Sequence, residues 1–163
     1  MNDTPTTEEM TAWQRRLASQ ANNRAWNLCE APTRSPEEDE EMLQAAHAAM
    51  YLWRTVGNDN NRAHAAQLLA HAYALLGLGH PAKHYLAKAQ PLFFGEGVQA
   101  WELALAHAVT ANVAAANRDT RAHAEHHATA VRLIEALSDP EDRKILNATL
   151  RVIPLPTSGM GAR

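Results

Sequence analysis

The chain has 163 residues, 46% of them hydrophobic and 20% charged, with 18 acidic side chains against 15 basic ones and one cysteine. A folded chain of roughly 150 residues buries about 68–70% of its surface, so a single core is within reach, and the apolar fraction excludes a disordered tail protein. A net charge of −3 without a basic run leaves no footprint for nucleic acid or an anionic membrane, and the lone Cys29 excludes a disulfide framework or a cysteine-based zinc site.

About one residue in five is alanine, whereas valine, isoleucine and the aromatics are scarce. Alanine is the best helix former and β-branched and aromatic residues favour strands, so composition predicts an all-α protein. Thr6 followed by Glu9 is a capping box, which predicts a first helix from about Glu8 to Cys29 with Met10, Trp13, Leu17, Ala21, Ala25 and Leu28 on its apolar stripe. Ala31-Pro32 stops it. Ser35-Pro36-Glu37-Glu38 opens the second helix with a cap, a proline where its missing N–H costs nothing, and a boxed glutamate. The acidic run Glu37 to Glu41 complements the helix dipole there. This helix runs to Val56. A polar turn, Asn58 to Asn61, leads into a third that reaches Leu76, and Gly77-Leu78-Gly79-His80-Pro81 opens a fourth over Ala82 to Leu92. Gly95 and Gly97 precede a fifth from Gln99 to Ala116. Asn117-Arg118-Asp119 turns into a sixth over Thr120 to Leu137, and Ser138-Asp139-Pro140-Glu141 starts a seventh ending near Val152. Short connections imply antiparallel neighbours. The N-terminus has no apolar signal core and no segment approaches the ~18 apolar residues of a membrane span, so a cytoplasmic protein without a membrane partner is expected.

The segment Ala66 to Ala89 reads A-x-x-L-A-x-x-Y-A-x-L-G-x-x-x-x-A-x-x-Y-L-x-x-A. Small residues at Ala70, Ala82 and Ala89 let two helices approach, Tyr73 and Leu86 fill the gap, and Gly77 ends the first helix. Over Ala63 to Phe94 this resembles the tetratricopeptide (TPR) motif, a helix–turn–helix repeat, with Ala66 in place of the family's usual tryptophan. A weaker TPR-like unit follows about 40 residues later, with Asn117 in its turn, Ala122 at the small position, His126 where a large apolar residue is usual and Thr129 where alanine is usual. Most of the chain also resembles a family of bacterial helical proteins, through EEDEEMLQAAHAAMYLWRTVGNDNNRA, LLAHAYALLGLG, WELALAHAV and DPEDRKILNATLRVIP; that family carries no known activity. The resemblance implies antiparallel hairpins stacked as a short right-handed superhelix of about seven helices, one domain over 1–156, and a flexible tail over 157–163.

Nine histidines are the sharpest chemical feature, because histidine titrates near neutrality and is the commonest metal ligand. His123 and His127, four apart, could grip a metal ion, as could His80 and His84. His123, Glu125, His126 and His127 are read instead as a solvent-facing polar stripe, and His80 as a residue of the helix cap. No H-E-x-x-H, G-x-S-x-G, Cys-His signature or phosphate-binding glycine loop occurs, so no catalytic residue, cofactor or metal site is assigned. In the TPR arrangement the first helix of each pair lines a concave groove, which implies that His64, Gln67, His71 and His107 face a partner there. Framing the pairs one helix earlier would place His47, Tyr51 and Arg54 in the groove instead. Trp13, Trp26, Trp53 and Trp101, among small apolar neighbours, are read as core.

The expected function is a non-catalytic interaction module for a protein or peptide, self-associating as a homodimer or larger homo-oligomer. Groove histidines charged below about pH 6.5 would favour an acidic ligand. A metal-binding protein or metal-dependent enzyme using those histidines, and a small-molecule sensor, are the alternatives.

Overall fold

A computed structural model describes residues 5–157. It contains seven helices: α1 (Thr7–Cys29), α2 (Pro36–Val56), α3 (Asp59–Leu75), α4 (Gly79–Phe93), α5 (Ala100–Ala116), α6 (Thr120–Glu135) and α7 (Pro140–Arg151). The described residues include no strand, so the all-α expectation holds, with most boundaries within the one or two residues by which helix ends blur. The largest difference is at α4, which begins at Gly79 and takes Pro81 into its first turn, where no N–H is needed. Of the proposed tail, 158–163 lies outside the described residues.

The capping signals form as the sequence dictates. Thr6 and Glu9, and Ser35 and Glu38, exchange reciprocal side-chain to backbone hydrogen bonds at the starts of α1 and α2. Asn58 with Asn61 does the same for α3, and at α5 the Gln99 N–H donates to the Glu102 carboxylate at 3.2 Å. Each box satisfies two N–H groups that a helix end otherwise leaves unpaired.

Three antiparallel hairpins, α1/α2, α3/α4 and α5/α6, stack in order, and α7 closes the stack against α5 and α6. The first helices of the hairpins touch in succession, α1 on α3, α3 on α5 and α5 on α7, while α2 packs on α3 and α4 on α5. Two turns repeat almost atom for atom. Gly77 and Arg118 both follow a helix with positive φ, 71° and 60°. The N–H of Leu78 bonds the Tyr73 carbonyl as that of Asp119 bonds the Ala114 carbonyl, each at 2.9 Å. The offset is 41 residues, the same separation as between His71 and Asn112, which bond each other across the α3–α5 contact. In this register Ala130, not Thr129, answers to Ala89, and both are buried.

The core lies around α3 and α5, which are buried on nearly every side. Both are alanine-rich all the way round, and a helix without a polar face belongs inside. Ala70, Ala74, Ala82 and Leu86 of the second hairpin meet Ala104, Leu105, Val109 and Val113 of α5 and Ile134 of α6. Among the described residues no helix is long and apolar enough to cross a membrane.

Candidate functional site

The first helices of the hairpins share an open groove of about 740 Å³. One wall is α1, which presents Asn22, Asn23, Trp26 and Asn27 over two turns and Glu30 at its end. Asn61 and His64 of α3 and Trp101 and Leu105 of α5 form the middle; Trp53 joins them from the end of α2. The opposite wall is α7, with Asp142, Ile145, Leu146 and Thr149 spaced at three, four and seven residues, hence on one face.

Of the four histidine and glutamine positions expected in a groove, only His64 lines this one. Its ring stacks on Trp101, centroids 5.6 Å apart and planes 12° from parallel, and its Nε2 lies 2.9 Å from Oε1 of Glu102. Burial works to raise the Glu102 carboxyl, but hydrogen bonds from His64, the Gln99 amide and Asn60 outweigh it and hold Glu102 below the ordinary carboxylate range. The pair is fixed between the α5 cap and the middle of α3.

His71 and Gln67 are core residues, 0% and 1% exposed. The expectation that they face a partner fails because α3 has neighbours on every side: α1, α2, α4 and α5 all touch it. His71 Nδ1 is 3.0 Å from the Asn112 amide nitrogen, which donates to it, and the ring packs on Trp26 with centroids 5.5 Å apart. Burial, with some help from the charge of Arg34, drives the His71 pKa down to about 3. The ring is neutral at physiological pH and offers no charge to a ligand.

His107 is turned away from the groove. Its Nδ1 contacts His126 Nδ1 at 2.9 Å, and Phe94 stands edge-on to it at 5.0 Å. One ring must donate and the other accept, so the contact requires an unprotonated acceptor. Burial lowers both pKa values; for His107 the charge of its partner adds to the effect.

The sixth-helix histidines are not a solvated stripe either. His123 is buried and donates from Nε2 to the Pro154 carbonyl at 2.8 Å, tying α6 to the chain beyond α7. His127 stands edge-on to it, with centroids 6.1 Å apart. Glu125 does reach solvent, paired with Arg121.

The alternative set is dispersed. His47 bonds the Tyr73 hydroxyl at 2.7 Å, Tyr51 is 70% exposed, and Arg54 lines a second cavity of about 720 Å³ between α2, α3 and α4, together with Arg62, His84 and Lys88.

The residues that the sequence reading missed are the tryptophans and the α1 amides. Trp26 and Trp101 pack against the core, as expected, and with Trp53 they also wall the groove half-buried, while Trp13 is exposed. The signal was present in Asn22, Asn23 and Asn27, a polar stripe beside Trp26 that a purely apolar contact would not carry.

Among the described residues, no three His, Cys, Asp or Glu side chains are grouped to hold a metal ion. Burial pushes the Cys29 thiol up to about 12, which leaves it protonated and unreactive. What the groove offers chemically is flat aromatic surface, amides that both donate and accept, and carboxylates. In comparisons with known proteins, no family model, no curated protein and no solved structure matches the chain.

Proposed function

We propose that the protein is a non-catalytic interaction module, a short TPR-like stack whose groove holds a segment of a partner polypeptide. The observation that carries this reading is the composition of the groove wall. Asn22, Asn23 and Asn27 lie along α1 beside the indoles of Trp26, Trp53 and Trp101. A carboxamide can donate to a peptide carbonyl and accept from a peptide N–H at once, and indole faces bury side chains with little loss of their own freedom.

Selection of a random-peptide display library against the full chain tests it. Enriched peptides are expected to bind the wild type and to lose binding to the Asn23→Ala, Asn27→Ala double variant. Both residues are exposed, so the fold and its melting temperature should be unchanged. A selection that enriches nothing, or peptides indifferent to that variant and to Trp101→Ala, overturns the reading.

A small-molecule ligand is the second reading, favoured by one quantity: the groove volume of about 740 Å³ lies within the roughly 300–1,000 Å³ usual for such sites. The histidine-based metal reading loses its basis, because His71 and His107 do not share the groove with His64. Self-association belongs to the same proposal and rests on the free end of α1, where Met10, Trp13 and Leu17 stand exposed.

A further inference from the structure

The fixed charges of the groove bear on what it holds, and this step rests on the peptide reading above. Among the described residues, those lining the groove include Glu30 and Asp142 but no lysine or arginine. The one basic ring, His64, is already engaged by Glu102. The Arg34 and Arg151 guanidinium groups border a separate cavity that Glu30 also lines. Arg34 is held there by Asp39 at 2.6 Å and by the Leu28 carbonyl. The groove therefore sets two carboxylates beside three indoles, and a cation is drawn both to carboxylates and to the face of an aromatic ring.

The two carboxylates are also spaced in a readable way. Thr149 donates its hydroxyl to Glu30 at 3.1 Å, which places Glu30 beside the last turns of α7. Asp142 lies on the same α7 face seven residues earlier, about 10 Å away along the axis at 1.5 Å per residue. An extended chain advances about 3.3 Å per residue, so side chains about three positions apart match that separation. Burial raises the Glu30 carboxyl, against the opposing Thr149 hydrogen bond and Arg151 charge; a bound cation would favour its ionised form. One turn beyond His64 on α3, the buried Gln67 amide nitrogen has no hydrogen-bond partner among the described residues.

We propose that the groove takes a basic peptide in extended form, with two lysine or arginine side chains about three positions apart, one reaching Glu30 and the other Asp142 across the indole faces. This reverses the expectation of an acidic ligand, which required charged histidines that the fold instead buries or pairs.

The sequences recovered from the library decide the question. Enriched peptides should be net positive, with basic residues two to four positions apart. Their affinity for the full chain, read by fluorescence anisotropy, should fall about tenfold or more in Glu30→Gln with Asp142→Asn, since each lost charge-assisted contact is worth at least several-fold. It should also fall as salt is raised, and be unmoved by Arg54→Ala with Lys88→Ala in the other cavity. Glutamine keeps the acceptor for Thr149, and the single Asp142→Asn, at the open end of α7, gives a second reading if the pair destabilises the fold. Groove-bound peptides that are acidic or uncharged, or basic peptides that bind the double variant and high-salt wild type equally well, overturn the charge proposal while the groove reading stands. Peptides insensitive both to the Asn23→Ala, Asn27→Ala variant and to Trp101→Ala sink both.

Discussion

His71 has no solvent exposure and a neutral ring, and its contribution should be visible in stability rather than binding. Its Nδ1 accepts from Asn112, so His71→Ala strips that acceptor from a buried amide proton, leaving the amide only the His71 carbonyl at 3.4 Å, and opens space beside Trp26. We expect a loss of about 1–3 kcal/mol from the unpaired group, read by chemical denaturation, with peptide affinity per folded molecule unchanged. The pH dependence has a definite sign. The folded-state pKa of about 3 lies below the unfolded value near 6.5, so the stability tied to the neutral ring is intact above about pH 6.5. Below that pH the unfolded chain takes up a proton that the folded one refuses, and about 1.4 kcal/mol is lost per pH unit down towards pH 3. Burial also lowers His47, His107, His126 and His127, which pull in the same direction. The penalty of His71→Ala relative to wild type should therefore shrink between pH 7 and pH 5. A penalty independent of pH would mean that the ring takes up its proton as readily in the fold as in the unfolded chain.

Helix limits were legible in the sequence because caps are local: Thr6 with Glu9 and Ser35 with Glu38 need only their own turn to form. The faces of α3 and α5 were not, since an alanine-rich helix gives no stripe from which to read an inward direction. Hence His71, expected to face a ligand, faces Asn112. The seam between α3 and α4 was legible, because small residues must sit where two backbones come close. Ala82 and Ala89 are 0% and 1% exposed, and leucine at either should overpack the seam and cost about 1–3 kcal/mol. A neutral melting temperature for both would mean that the helices do not meet there. Gly79 makes the tighter test. A Cβ added to it would stand 2.8 Å from both the Ala116 carbonyl and the Asn117 side-chain oxygen, while Asn117 donates its amide to the Gly79 carbonyl at 3.0 Å. Gly79→Ala should push the second hairpin off the third and lower the melting temperature, despite alanine's better helix propensity. An unchanged or higher melting temperature would show that the turn yields freely.

At the scale of the whole molecule, the order of hairpins followed from short connections, but the groove did not follow from any one helix. It exists because α1, α3, α5 and α7 sit in sequence on one side of the stack, which brings Trp26, Trp53 and Trp101 from three different helices to one cavity. Each of these residues alone looks like an ordinary core aromatic. The same assembly explains why Met10, Trp13 and Leu17 remain uncovered although they continue the stripe of Ala25 and Leu28. Among the described residues nothing covers that face of these turns of α1. They are 46%, 57% and 48% exposed at spacings of three and four residues, with the Arg16 guanidinium 5.4 Å over the Trp13 ring. An apolar strip of this kind favours burial against a second copy, because each molecule presents the same strip and a twofold contact uses both at once. Light scattering at micromolar concentration should give a dimer mass for the wild type and a monomer mass for Trp13→Glu, whose melting temperature extrapolated to infinite dilution should match the wild type's because Trp13 holds no core contact. A wild-type monomer would remove the self-association proposal. A dimer that survives both Trp13→Glu and Leu17→Glu would move it to another face of the stack.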